Sequence, residues 1–163
     1  SEMCIRDRLS TDKSKQNEIT KIGDAIQMMK SGNELPSIDL INLNGETVNS
    51  KDAIKGKTII FFWTENAESH FETVHKKAMD LKSKYPNYNI IAINVDDNQA
   101  KWKNILSNYK FSNITEFRVK NFEELKDKWV ITKIQRAIVT NADGKINNAF
   151  VNLFDVKFID NLK

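Results

Sequence analysis

Six consecutive residues, Thr58-Ile59-Ile60-Phe61-Phe62-Trp63, are all β-branched or aromatic. The run is too short and too β-rich for a buried helix, and it has no polar alternation. It therefore predicts a strand covered on both faces. Thr64 to His70 then reads as a turn feeding a helix start. In an open α/β sheet, reacting groups and ligands gather where a strand's carboxyl end meets the next helix's amino end. Lys57 to His70 thus predicts both the centre of a sheet and the place where chemistry would sit.

The rest of the chain supplies the partners such a strand needs. Residues 67–84 place Phe71, Val74, Ala78, Leu81 and Tyr85 three and four apart, an apolar helical stripe stopped by Pro86. Ile90-Ile91-Ala92-Ile93 predicts a second buried strand. Asp96-Asp97-Asn98 reads as the cap of a helix carrying Trp102, Ile105, Leu106 and Tyr109; an Asp96-Asp97 calcium pair is the less favoured reading. Thr115 to Val119 reads as a short edge strand. Phe122, Leu125 and Trp129 mark another helix, and Arg136 to Thr140 a third apolar strand. Asp143-Gly144 turns that strand into an antiparallel hairpin. Val156, Ile159 and Leu162 predict an inward face for a final helix over 155–163. Upstream, Ile19, Ile22, Ile26 and Met29 fall at helical spacing before Gly32. Ile38, Leu40 and Leu43 are expected to face inward, ahead of an Asn44-Gly45 turn. Helical crossovers between buried strands imply parallel pairing in a covered sheet, with antiparallel hairpins at its margins.

Three segments are expected: 1–16, a polar tail or remnant foreign to the fold; 17–34, a helix and linker; and 35–163, one domain. Of the 163 residues, 40% are apolar, enough for a core, and mean hydropathy is −0.52. No run of 18 apolar residues exists, which excludes a membrane-spanning helix. The 25 basic and 22 acidic side chains are mixed along the chain, with no basic stripe for nucleic acid. The one cysteine, Cys4, stands in the tail without a second thiol to resolve it.

Leu35-Pro36-Ser37-Ile38-Asp39-Leu40 with Asn44-Gly45, Gly56 to Trp63, Ile93-Asn94-Val95-Asp96, and Ala137 to Ile146 follow one another at fitting separations. Together they resemble the thioredoxin-like superfamily, in the branch of the TlpA and ResA-type thiol-disulfide oxidoreductases and the AhpC/TSA redoxins. The resemblance covers residues 35–163. It implies an α/β thioredoxin-like fold, a central mixed sheet flanked by helices, with an N-terminal hairpin extension. It also implies an exported, periplasmic or membrane-anchored setting.

The resemblance breaks at the catalytic corner. The family's Cys-x-x-Cys after Phe-Trp would fall on Ala67 and His70, where Ala67-Glu68-Ser69-His70 stands. The redoxin pattern Thr-x-x-Cys keeps Thr64 and loses its sulfur at Ala67. The position of the family's cis-proline is Gln135, and Arg136 resembles the redoxin activating arginine. Disulfide exchange and peroxide reduction both require a thiolate as attacking group. Neither alanine nor histidine supplies one.

The expectation is therefore a redox-inactive member acting as a protein-binding or structural module, with no cofactor, no nucleic acid and no membrane insertion by this segment. Its partner would be a protein held on the former active-site face or the upstream helix. Two alternatives stand beside it: a non-thiol enzyme or metal site built from His70, Glu68 and His75, with Glu72 on the same helix, or redox cysteines elsewhere in a longer chain. Asn66 is a candidate cap for the helix, and Arg136 is expected to pair with Glu65 or Glu68.

Overall fold

The computed structural model describes residues 22–109 and 111–162. A helix over 22–28 (α1) precedes β1 (Asp39–Ile41), β2 (Thr47–Asn49) and a single turn, α2 (Ser50–Ala53). Then follow β3 (Thr58–Trp63), α3 (Glu68–Lys84), β4 (Asn89–Asn94), α4 (Gln99–Tyr109), β5 (Thr115–Val119), α5 (Phe122–Trp129), β6 (Arg136–Thr140) and β7 (Ile146–Asn152). A 3-10 turn, Phe158–Asn161, closes the described chain.

The strands form one seven-stranded sheet in the order β2-β1-β5-β4-β3-β6-β7. β3, β4 and β5 run parallel, joined through α3 and α4; β6 is antiparallel to β3, and both outer hairpins are antiparallel. All six residues of β3 are buried. Their alternation splits the core. Ile60 and Phe62 pack on one face with Leu125, Trp129 and Met29. Ile59, Phe61 and Trp63 pack on the other with Phe71, Val74, Leu81 and Trp102. All three tryptophans are fully buried. The Asn44-Gly45 turn forms as expected, with Gly45 at φ 81°, a conformation glycine adopts without a Cβ penalty.

Several expectations change. β5 is not an edge strand. The entry hairpin lies beside it, with Leu40 opposite Val119 and Ile41 opposite Arg118. Leu43 is 43% exposed, because it sits in the tip of that hairpin. The closing segment forms a turn from Asp155 and a short 3-10 turn in place of an α-helix, and of its described residues only Phe158 and Leu162 are buried. Val156 is 87% exposed and Ile159 45%, so neither faces inward. Of the upstream stripe, Ile22 and Ile26 are exposed and Met29 alone is buried; Ile19 lies outside the described residues, as do the tail 1–16 and Cys4.

Candidate functional site

The corner at the end of β3 is held by Asp96, which stands just past the end of β4. Its Oδ1 accepts from the Thr64 hydroxyl at 2.8 Å and its Oδ2 from the Glu65 amide at 2.7 Å. Asn94 braces the same carboxylate: its amide donates at 3.2 Å, while its Oδ1 accepts from the Asp96 amide at 2.9 Å. Charge-assisted bonds of this length are the strong ones. Asp96 is therefore a clamp between two parallel strands, not a cap for α4. That task falls to Asn98, whose Oδ1 accepts from the Lys101 amide at 3.0 Å. Glu65 reaches Lys101 at 3.4 Å with its side chain only 9% exposed, and its Oε2 is buried without a hydrogen-bond partner.

α3 begins without a side-chain cap. Its N-cap is Ala67, not Asn66; the Asn66 amide turns back to the Thr64 hydroxyl at 3.3 Å. A cap residue needs a side-chain oxygen, and alanine has none. His70 stands in the first turn. Both its ring nitrogens are buried and make no hydrogen bond, and its ring meets Phe154 edge-on at 6.0 Å between centroids. Burial first, and then the charge of His75, hold the His70 imidazole below its ordinary pKa. It is therefore a neutral imidazole over a wider range of pH than a free histidine.

His75 goes the other way. It is fully buried, with Nδ1 2.6 Å from the Phe71 carbonyl and Nε2 2.9 and 3.2 Å from the two carboxylate oxygens of Glu116 on β5. Phe111 stacks on the ring at 3.8 Å, and Phe61 and Trp63 meet it edge-on. Burial pushes the Glu116 carboxyl up. The His75 hydrogen bond and charge oppose that rise, as does the Trp63 indole, which lies near without making a normal hydrogen bond. Glu72, meanwhile, pairs with Lys76 at 3.1 Å on the exposed side of α3. The fold thus separates two of the proposed ligands: His75 is engaged inside the core and Glu72 faces outward. Among the described residues no three His, Cys, Asp or Glu side chains gather as a metal site.

Among the described residues Arg136 pairs with no acid; the side chain of Glu68, one of its two expected partners, lies outside them. Its guanidinium donates to the carbonyls of Ala149 (2.6 and 3.0 Å), Val130 (2.7 Å) and Trp129 (3.2 Å), and lies 4.4 Å over the Phe150 ring. Desolvation lowers its pKa to about 10. Arg136 is drawn there because α5 ends with orphan carbonyls, a site that favours cations. Val130 at that end has φ 52°, an outlier for a β-branched residue, and its carbonyl is one of those Arg136 holds. Gln135 is exposed, and among the described residues no peptide bond is cis. Sequence reading singled out His75 but missed its partner Glu116. The available signal was the alternation of Glu116 and Arg118 with Phe117 and Val119, which puts a carboxylate on a covered face.

This fold and this corner define an α/β protein of the thioredoxin type whose helix start carries no sulfur. A family model described as thioredoxin-like matches residues 56–146, more than half of the chain, and the protein belongs to that family. Solved structures share the fold. A Bacteroides vulgatus protein proposed to be a thiol-disulfide oxidoreductase aligns at TM-score 0.71 and 18% identity, over 83% of this chain and 99% of that one. A second from the same organism, with the same proposed activity, aligns at TM-score 0.65 and 24% identity, over 82% and 90%. The thioredoxin domain of a thiol-disulfide oxidoreductase from Bacteroides vulgatus aligns at TM-score 0.61 and 18% identity, over 76% and 89%. Comparison with curated proteins returned no match.

Proposed function

We propose that this thioredoxin-like domain is inert in thiol redox chemistry and serves as a protein-binding module through the face its relatives use for catalysis. The carrying observation is the chemistry of the corner. Ala67 and His70 occupy the two sulfur positions implied by the family pattern, and the nearest aromatic neighbour of His70, Phe154, is 39% exposed. Val156 and Ile159, further along the same closing segment, are exposed as well. Exposed aromatic and aliphatic side chains beside a polar group suit recognition of a protein surface.

Insulin reduction and peroxide consumption, measured with the Cys4→Ser protein, test this reading. Turnover indistinguishable from buffer is expected. Robust turnover surviving that substitution would overturn it, since no thiol would remain to explain the activity.

A further inference from the structure

We propose that His75 and Glu116 form a one-proton latch, a buried pair that ties α3 to β5 and loosens when it loses its proton or gains a second. The inference goes beyond the binding reading and does not depend on it. The Phe71 carbonyl can only accept, so the Nδ1 atom 2.6 Å away carries a hydrogen. Nε2 lies 2.9 and 3.2 Å from the two Glu116 oxygens. One hydrogen between them, on nitrogen or on oxygen, makes that contact a bond. With none, a ring lone pair faces a carboxylate in a dry core. With two, the pair is a buried net cation. The dissociable proton belongs to the pair rather than to either member.

The surroundings offer little compensation. β3 presents the rings of Phe61 and Trp63, and the segment after α4 presents Phe111, with Tyr109 stacked beyond it. On β5, Arg118 turns to Gln99 and the Asp96 carbonyl. On α3, His70 is the nearby titratable group, its cation opposed by His75, while Glu72 and Lys76 pair with each other outside. Among the described residues no third charged side chain hydrogen-bonds to the pair.

The sign follows from counting protons. Above about pH 6.5 an unfolded chain keeps glutamate ionised and histidine neutral, so these two residues hold no dissociable proton. The folded pair holds one. Stability therefore falls as pH rises, by about tenfold in the folding constant per pH unit. The raised Glu116 pKa has the same direction. Between about pH 4.3 and 6.5 both states hold one proton and the contribution is flat; below that the unfolded chain takes two, and stability falls again. Because α3 also carries His70, loosening reaches the corner.

Glu116→Gln tests the latch. Its amide can donate to Nε2 while Nδ1 still bonds the Phe71 carbonyl, but it has no proton to lose. Urea unfolding from pH 5.5 to 8.5 should show the wild-type folding constant falling relative to the variant, by about tenfold per unit above pH 6.5. Amide protection along α3, taken relative to the base-catalysed rate of an unstructured chain at each pH, should fall over the same range in the wild type alone. Parallel profiles would overturn the proposal. If Glu116→Gln does not fold, the double variant His75→Leu/Glu116→Leu replaces the pair by apolar packing and should give the same relative slope. Proton release on unfolding, from calorimetry in two buffers at pH 8, should be larger in the wild type by about one proton than in either variant. Should neither variant fold, release of about one proton by the wild type supports the latch, and release of none refutes it.

Discussion

His70 and His75 stand five residues apart on one helix, and the fold treats them in opposite ways. His75 has a partner on each ring nitrogen and the rings of Phe61, Trp63 and Phe111 packed around it. Among the described residues His70 has no hydrogen bond on either nitrogen and one aromatic contact. Five residues along an α-helix is a rotation of about 140°, enough to carry one side chain to the sheet and leave the other at its margin. The residue nearer the expected chemistry is thus the one with unmet bonding capacity. The residue with the conspicuous carboxylate partner is structural.

The largest test of that contrast is chemical. Ala67→Cys/His70→Cys restores sulfur at both positions of the helix start. It should raise insulin reduction from background to measurable turnover. The thiol introduced at position 67 should titrate below the usual value of about 8.5, because a helix N-terminus favours the thiolate. No gain would mean that more than sulfur is missing from the corner. Next in size is His75→Ala, which strands a buried carboxylate and opens a cavity. Urea unfolding should show a loss of about 3–5 kcal/mol, whereas His70→Ala should cost less than about 1 kcal/mol. Equal losses would erase the distinction between the two histidines.

Asp96→Ala removes two short bonds to β3's end and should cost about 2–3 kcal/mol by the same measurement. An unchanged midpoint would show the clamp to be idle. The smallest effect concerns pH. The His70 pKa is depressed in the folded state, so the unfolded chain binds the extra proton first as pH falls below about 6.5. Wild type should lose stability there relative to His70→Gln, and superimposable profiles below pH 6.5 would contradict the depression.

Much of the architecture was legible because its signals are local. The unbroken β-branched and aromatic Thr58–Trp63 run, the stripe from Phe71 to Leu81, and the Asn44-Gly45 and Asp143-Gly144 turns each name their own structure. What escaped depends on distant neighbours. Thr115 to Val119 reads the same at an edge or inside, and only Leu40 and Ile41, far away in sequence, decide it. Val156, Ile159 and Leu162 repeat every three residues, a period closer to 3-10 than to α geometry, and that distinction was available. Asn66 lost the cap to a one-residue shift of the helix start, the kind of boundary composition does not set. At the site, the missing sulfur was plain in the letters. That Glu116 completes His75, and that Arg136 bonds to carbonyls rather than acids, required the tertiary fold.

The backbone just upstream of residue 35 gives the sheet a property its strand count hides. Gly32 donates to the Ile146 carbonyl at 2.7 Å, Ile146 donates to the Asn33 carbonyl at 2.9 Å, and the Ser31 hydroxyl bonds to the Asn147 carbonyl. β7 is an outer strand, and an open outer strand is a template for pairing with another chain. Residues 31–33 occupy the start of that template, and Met29 pins them by its burial in the core. A chain shortened to begin at residue 35 would keep all seven strands and lose this cover. Its main hazard would be sticking to copies of itself along β7 rather than failing to fold.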